Sequence, residues 1–138
     1  MFEKGEFIKR ASIHDKYGGN RQNGISVSAK FPYIFIFSGK AGHQWGYLDR
    51  WITNDVFSYS GEGQSGDMEF TRGNLALKDH LSSGKRVFLF YMERKSFVSF
   101  ETELEILDID YYPGVDKDGN SRIGIDFSSN GLVQMSIV

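Results

Sequence analysis

Residues 57–67 bring an aromatic ring, hydroxyl groups and three glycines together in the sequence FSYSGEGQSGD. The spacing Gly61-x-Gly63-x-x-Gly66 fits the dinucleotide fingerprint, in which glycines let backbone amides approach a pyrophosphate at a helix N-terminus. The same segment fits a glycine-lined pocket that presents Tyr59 and a hydroxyl group to a flat ring. The first interpretation needs a helix that begins directly at Gly66, but residues 67–73 have no helical pattern. The pocket is therefore the better interpretation.

Other patterns that could carry chemistry are weak. His14, His43 and His80 are scattered without the spacing of metal ligands, and we expect them at the surface or partly buried. Residues 116–120 resemble a calcium loop, but Phe127 stands where the bidentate Glu belongs, so we expect a hairpin turn. No Gly-x-Ser-x-Gly motif of a serine hydrolase occurs. These residues predict a binding protein, not an enzyme, with no cofactor and no metal.

Composition predicts one globular unit. At 138 residues the chain has the usual size of one domain, so we expect a single domain over residues 1–138. Hydrophobic residues make up 40% of it, which excludes a disordered chain. No apolar run approaches the roughly 20 residues that span a bilayer, and the first residues lack the order of a signal peptide. The absence of cysteine excludes disulfides and agrees with a reducing compartment, so we expect a soluble, cytoplasmic protein without a membrane partner.

Charge is distributed unevenly along the chain. The formal net charge is −2, which by itself argues against nucleic acid. Residues 1–95 hold 14 Lys and Arg against 10 Asp and Glu, a balance of +4, whereas residues 96–138 hold 2 against 8, a balance of −6. One face of the protein can therefore be mildly basic, and DNA binding remains open.

Hydrophobic periodicity indicates strands more than helices. Two continuous apolar runs predict strands buried on both faces, and an alternating run over residues 97–109 predicts a strand with one solvated face. Further strands are expected after a turn at residues 118–120 and at the end of the chain, and two short segments suit helices. The predicted strands are 33–37, 87–92, 97–109, 122–127 and 132–138, and the predicted helices are 7–16 and 74–81. The fold class is mainly β (α+β), with a curved sheet or open β-barrel and one or two short flanking helices.

Several local strings, in this order and spacing, resemble the SRA (SET and RING associated, or YDG) domain. The strings are Gly5-Glu6-Phe7, residues 21–25, 34–39, 46–49, 57–64, 66–68, 73–77 and 83–87. The SRA domain is a PUA-like barrel that binds DNA and swings a modified cytosine out of the duplex. The closest resemblance is to the version at the N-terminus of bacterial McrA-like HNH modification-dependent restriction endonucleases. The resemblance covers nearly the whole chain.

The resemblance implies a pocket for an extruded base. Such a base needs an aromatic surface on each face and a polar partner on its Watson-Crick edge. In the family pattern Tyr47 and Tyr59 are the two rings, and Asp49, or its neighbour Arg50, is the partner of the exocyclic amine. Each residue also has a structural interpretation: the tyrosines as core aromatics, the aspartate as the cap of a turn.

The remaining pocket positions follow from the same pattern. Ser60 matches a hydroxyl contact to the ring edge, Gly61 lets the backbone approach the base, and Gly46 lines the 5-position. A carboxylate suits cytosine because N4 is a hydrogen-bond donor, whereas thymine presents an acceptor there.

Contacts to the DNA backbone, or a wedge in the base stack, are expected from nine residues. They are Arg21, Gln22, Lys40, Gln44, Trp45, Gln64, Arg72, Asn74 and Lys85. Eukaryotic members insert a long basic finger between the loop that begins at Gly61, called the glycine loop, and the following helix. This chain has only residues 65–73 between them. The wedge must then come from residues 20–23 or from the 39–45 loop. Gln64 and Asn74 can instead bond within the glycine loop.

The resemblance implies recognition of 5-methylcytosine or 5-hydroxymethylcytosine in double-stranded DNA by base flipping, without bond-making chemistry. It also implies a targeting module of a restriction endonuclease, whose nuclease domain is supplied in cis or in trans. The alternatives are a PUA-like or ASCH-like RNA-binding module and a small enzyme that acts on a modified nucleoside through Asp49 and Tyr59. The sequence does not rank the base modifications.

Overall fold

The chain forms one curved sheet with short helices at its side, and a computed structural model describes residues 1–39 and 49–132. Within these residues the elements are β1 (Phe7–Lys9), α1 (Arg10–Tyr17), β2 (Ile25–Val27), β3 (Tyr33–Ser38), β4 (Arg50–Trp51), β5 (Val56–Ser60), α2 (Arg72–Lys78), β6 (Arg86–Arg94), β7 (Phe97–Val115) and β8 (Ser121–Leu132). No helix in this part of the chain is long and apolar enough to cross a bilayer.

The eight-stranded sheet has the order β2-β3-β6-β7-β8-β5-β4, and β1 pairs with β7 outside this path. Strands β3 and β6 run parallel, and the other described pairs are antiparallel. The sheet curls until β5 meets β3, where the Tyr59 hydroxyl lies 3.2 Å from the Phe37 carbonyl oxygen. This confirms the predicted mainly β fold with an open barrel and two short helices.

Strands β3 and β6 are buried on both faces, as their continuous apolar sequences predict. Alternate side chains of the two strands enter separate cores. Ile34, Ile36, Val87 and Leu89 belong to an inner core with Leu77 and Phe127. Phe35, Phe37, Phe88 and Phe90 belong to an outer core that Phe2 and Ile13 complete. The helix α1 therefore covers the outer side of the sheet.

Both predicted helices differ from the observed ones. The first helix begins at Arg10 and not at Phe7, because residues 7–9 pair with residues 97–99 as a strand. The Phe7 ring also stacks on that of Phe97, with ring centroids 5.5 Å apart. The second helix spans Arg72–Lys78 instead of residues 74–81. It ends early because residues 80–85 form a turn closed by a 2.8 Å bond from the Lys85 amide to the His80 carbonyl.

Strand β7 is longer than predicted, and it does not keep one face toward one core. Phe100 pairs with Phe90 and Thr102 pairs with Leu89, so Glu101 is an extra residue in the ladder. A bulge of one residue reverses the faces of all following side chains. Val98 and Phe100 consequently pack in the outer core, whereas Leu104 belongs to the inner core. The prediction of a single apolar face over residues 97–109 was wrong for this reason.

The β7–β8 connection is the hairpin turn expected from residues 116–120. The Asp116 carboxylate accepts bonds of 2.9 Å from the amides of Asp118, Asn120 and Gly66. The amide of Gly66, followed by that of Asn120, holds the pKa of Asp116 below its usual range. Strand β8 ends at Leu132, and the predicted strand over residues 132–138 otherwise lies outside the described residues.

His14 and His80 are buried, with exposed fractions of 4% and 3%, so the expectation of a surface or partly buried position was wrong for both. His80 Nε2 accepts a 3.0 Å bond from the Ile106 amide, and Nδ1 lies 2.9 Å from the Lys85 carbonyl oxygen. Because an amide N–H only donates, the proton of this ring is on Nδ1. His80 thereby ties the turn after α2 to β7. His43 lies outside the described residues.

Candidate functional site

A cleft of about 680 Å³ opens where β3, β5 and β6 end. Its described walls are the turn before β2, the ends of these strands, the glycine loop that follows β5, and the start of α2. We define the glycine loop as residues 61–70. The cleft lies at the segment in which the sequence predicted a pocket.

Asp49 joins the ends of two strands at the wall of this cleft. Its Oδ1 accepts a 2.8 Å bond from the amide of Ser60, and its Oδ2 accepts a 2.9 Å bond from the hydroxyl of Ser38. Two donors on different strands fix the plane of the carboxylate. These bonds reach across the fold, so the alternative in which Asp49 caps a local turn does not describe them. Its neighbour Arg50 is exposed and begins β4.

Tyr59 is both a core residue and a wall of the cleft. Its side chain is 5% exposed and packs in the inner core, and it also lines the cleft. The hydroxyl lies 3.2 Å from the carbonyl oxygens of Gly24 and Phe37. The ring is therefore held in one position by packing and by the turn before β2.

Ser60 directs its hydroxyl to the other face of β5. Successive side chains of a strand point to opposite faces, and Tyr59 points to the inner core. The Ser60 hydroxyl lies 2.6 Å from the hydroxyl of Tyr112 on β7. Ser60 thus borders the cleft while its hydroxyl bonds elsewhere, and the expected contact of that hydroxyl with a base stays a prediction.

Asn74 holds the glycine loop from the start of α2. Its Oδ1 accepts a 2.8 Å bond from the Glu62 amide, and its Nδ2 donates 2.9 Å bonds to the carbonyls of Glu62 and Glu69. A Cβ at position 61 would lie 2.8 Å from that Oδ1, so only glycine fits there. Asn74 is 2% exposed. The alternative in which it bonds within the loop describes its observed contacts, and a contact of Asn74 with DNA stays a prediction.

Glu62 reaches back from the glycine loop to the helix. Its Oε1 accepts a 3.0 Å bond from the amide of Gly73 near the N-terminus of α2. Burial is the main cause that raises the pKa of Glu62, and the Gly73 bond opposes it. No role for this carboxylate was predicted from the sequence.

Arg122 supports the same loop from β8 and was also missed. Its Nη1 donates bonds of 2.7 and 3.2 Å to the carbonyls of Gly63 and Gly66. The residue is 3% exposed. Gly63 and Gly66 precede Arg122 by 59 and 56 residues, so nothing in the local sequence indicates that Arg122 contacts this loop.

Arg10 holds the turn that carries the predicted wedge. Its guanidinium lies 3.8 Å above the Phe37 ring and donates a 2.6 Å bond to the Asn23 carbonyl and one of 3.1 Å to the Asn20 carbonyl. This role of Arg10 was not predicted from the sequence. On this turn Gln22 is exposed and lines the cleft, and Arg21 is exposed and forms an ion pair with Asp15.

The other expected contact residues are dispersed. Arg72 is exposed at the cleft wall, and Gln64 is exposed there, with its carbonyl bonded to the Lys117 amide. Lys85 lines a separate depression beside α2. Five predicted site residues lie outside the described residues: Lys40, Gln44, Trp45, Gly46 and Tyr47. In residues 1–39 and 49–132 no group of three or more His, Asp or Glu side chains is arranged to hold a metal ion.

A family model described as "ScoMcrA-like, SRA domain" matches residues 4–131. No curated protein matches the sequence. The chain is 25% identical to a structure of the sulfur binding domain and SRA domain of ScoMcrA complexed with phosphorothioated DNA, with a TM-score of 0.76. The alignment covers 97% of this chain and 41% of that one. For the type IV phosphorothioation-dependent restriction endonuclease ScoMcrA the identity is 26% and the TM-score 0.76, over 97% of this chain and 29% of that chain.

Similarity in fold extends to other SRA structures. The SUVH5 SRA domain in a complex with hemimethylated CG DNA is 21% identical, with a TM-score of 0.67 over 99% of this chain and 92% of that one. At this identity the comparison shows the fold alone. The chain spans about two fifths, or less, of the ScoMcrA chains that it matches.

Proposed function

The chain belongs to the ScoMcrA-like SRA domain family, and we propose that it binds duplex DNA carrying a modified cytosine by extruding that base into the cleft. The base is 5-methylcytosine or 5-hydroxymethylcytosine. Structures with the same fold were solved with hemimethylated CG DNA and with fully hydroxymethylated CG DNA. The resemblance to the SRA family, found from sequence, is confirmed by the family model.

The observation that carries this proposal is the carboxylate of Asp49 at the wall of the cleft. Donors from Ser60 and Ser38 fix its plane, so it need not be ordered when a ligand enters. Cytosine presents an amino group at N4, which a carboxylate accepts, whereas thymine presents O4 and would be repelled. The cleft volume of about 680 Å³ lies in the range of small-ligand sites, so there is room for a base.

The aromatic contacts in this proposal come from two tyrosines. Tyr59 is a wall of the cleft, and its ring is immobilised by the inner core and by the carbonyls of Gly24 and Phe37. An aromatic ring that is already ordered stacks on a base at low entropic cost. Tyr47 is proposed as the second ring on the strength of the family pattern. The backbone of Gly61 and Gly46 is proposed to line the part of the cleft that takes the base.

Further contacts to DNA are proposed beyond the part of the cleft that takes the base. Gln22 stands on a turn that Arg10 holds rigidly, which suits a side chain that fills the gap left by the extruded base. Backbone contacts are proposed for Arg21, Arg72, Gln64 and Lys85. The 39–45 loop, with Lys40, Gln44 and Trp45, is proposed to contact the backbone or to supply the wedge instead of Gln22. Asn74 acts through the glycine loop.

We further propose that residues 1–138 form one domain that directs a restriction endonuclease to modified DNA in the cytoplasm. The SRA domain is a DNA-binding module, and the chain agrees with a protein that performs no bond-making chemistry itself. A nuclease domain would be joined to it in cis or supplied in trans.

A competition assay with otherwise identical duplexes tests this function. The duplexes carry one cytosine, 5-methylcytosine, 5-hydroxymethylcytosine or glucosylated cytosine at the same position, and one carries a phosphorothioate linkage. We expect tighter binding to a methylated or hydroxymethylated duplex than to its unmodified twin. Equal affinities for all base forms would contradict the proposal. Stronger binding to RNA of the same sequence at the same salt would favour the RNA-binding alternative.

A further inference from the structure

A second depression, of about 600 Å³, lies between α1 and the hairpin that joins β6 and β7. We define it as the hairpin groove. Four cations line it, Arg10, Arg21, Arg94 and Lys95, and Glu93 is the one carboxylate among its described lining residues. A net balance of +3 in one groove contrasts with the net charge of −2 for the whole chain. Such a groove attracts a polyanion.

The hairpin is built rigidly. The Arg94 guanidinium lies 5.2 Å from the centroid of the Phe7 ring and 4.9 Å from that of Phe97, and these two rings stack on each other. The amide of Arg10 donates a 2.8 Å bond to the Ser96 carbonyl, which fastens the hairpin tip to the start of α1. Ser96 has a φ of 71°, so the turn is tight. The hairpin backbone and the Arg94 guanidinium are therefore already ordered before an anion binds.

The groove adjoins the cleft. Gln22 and Met92 line both depressions, so these two side chains form the boundary that they share. A DNA strand that passes its base into the cleft would leave its neighbouring phosphates beside this boundary. The charge of the groove has the sign that those phosphates require.

The cations of the groove differ in what they already bind. Arg10 donates to the turn and to His14, and Arg21 pairs with Asp15. Lys95 is exposed, and within residues 1–39 and 49–132 no carboxylate lies at ion-pair distance from it. Among the described residues, Arg94 and Lys95 are therefore the groove cations that neither an ion pair nor a hydrogen bond to the turn engages, and they would add to the backbone contact proposed for Arg21.

We propose that the hairpin groove binds the sugar-phosphate backbone of the same duplex, through Arg94 and Lys95 and without regard to base sequence. This inference rests on the proposed function and adds a contact surface to it. The hairpin positions the duplex, and the cleft discriminates the base. Affinity and preference for a modified base thus depend on different parts of the fold.

The test compares the double variant Arg94→Gln, Lys95→Gln with the matched control Lys30→Gln, Lys78→Gln. Lys30 precedes β3 and Lys78 ends α2, and neither lines the cleft or the hairpin groove. Dissociation constants are measured for a modified duplex and its unmodified twin across a range of salt concentrations. Each phosphate contact contributes a slope of about 0.9 to the dependence of log affinity on log salt.

We expect the groove variant to lose affinity for both duplexes by the same factor and its salt slope to fall by about two. The control should keep the wild-type slope. The single variant Lys95→Gln removes no described contact and should lower the slope by about one. It therefore still tests the inference if the double variant does not fold. Wild-type slopes in both groove variants would overturn the inference. A wild-type protein without preference for modified DNA would instead overturn the proposed function.

Discussion

Tyr112 and Ser60 lie on strands that are not neighbours in the sheet, yet their hydroxyl oxygens are 2.6 Å apart. Strand β8 separates them, and its Gly124 pairs with Tyr112. The Tyr112 ring passes directly over Gly124, where a Cβ would overlap the ring. Glycine at this position therefore lets a side chain of β7 reach the residue at the end of β5.

Ser60→Ala should lower stability without removing the preference for modified DNA. The Tyr112 hydroxyl loses this partner, which costs about 0.5–1.5 kcal/mol of the free energy of unfolding. The backbone amide of Ser60 still holds Asp49, so the ratio of affinities for modified and plain duplexes should stay within about twofold of the wild type. Urea unfolding and a binding titration measure the two effects. A fully stable variant that has lost the preference would mean that the hydroxyl turns to the base.

Asp49→Asn should remove most of the preference. The Ser60 amide can only donate, so the asparagine oxygen must face it, and the amino group then replaces an acceptor in the cleft. A donor against cytosine N4 loses a contact that is worth about 1–3 kcal/mol in base recognition, so binding of the extruded base should weaken by roughly 5- to 150-fold. The preference falls with it, because the plain duplex is proposed to bind mainly through its backbone, without this contact. Asp55→Asn makes the same chemical change on an exposed turn and should leave the ratio unchanged. Equal ratios in the two variants would remove Asp49 from the base contact.

Asn74→Ala should loosen the glycine loop. The substitution removes an acceptor from the Glu62 amide and a donor from the Glu62 and Glu69 carbonyls. Leaving buried polar groups without partners costs about 1–3 kcal/mol each where water cannot replace the lost bond. We expect a lower midpoint of thermal unfolding and faster amide exchange in residues 61–70. Asn54→Ala, on the exposed β4–β5 turn, is the control and should change neither.

Acidification should weaken the fold through His14. Its Nε2 accepts a 3.0 Å bond from Arg10 Nε, and Nδ1 bonds to the Gly18 carbonyl, so the ring is neutral in this arrangement. Burial is the main cause that lowers the pKa of His14 below its usual value of 6.5, and the charge of Arg10 acts in the same direction. The unfolded chain then binds more protons than the folded one below pH 6.5, so stability is present above that pH and is lost as pH falls.

Unfolding free energies at pH 7.5 and pH 5 measure this dependence. His14→Gln keeps an acceptor for Arg10 and cannot titrate, so its stability should change less between the two pH values than that of the wild type. An identical change in both proteins would place the pH dependence in other groups.

The central strands could be predicted because their sequences leave no alternative. Continuous apolar runs at residues 33–37 and 87–92 are too short for buried helices and too apolar for a solvated face. The bulge at Glu101 could not be predicted, because the sequence on either side alternates without interruption. Only the pairing with Leu89 and Phe90 reveals it.

The part of the site that is formed by residues adjacent in sequence could be predicted. Tyr59 and the glycines mark the cleft because they are adjacent in sequence. The sequence also predicts that Tyr59 and Ser60 point to opposite faces of the sheet, because successive side chains of a strand alternate between its two faces. Arg122, Arg10 and Glu62 were missed because each acts on backbone groups of a segment that is distant along the chain.

The central claim, that a modified cytosine leaves the duplex and enters the cleft, is tested most directly by removing the partner of that cytosine. Dissociation constants are compared for duplexes in which 5-methylcytosine, or cytosine, stands opposite guanine or opposite an abasic site. Extrusion of a base costs the free energy of breaking its base pair, and an abasic site opposite the 5-methylcytosine removes this cost. The abasic site should therefore tighten binding of the methylated duplex, and the preference for the methylated base should persist. Affinities that depend neither on the methyl group nor on the opposing base would contradict the account.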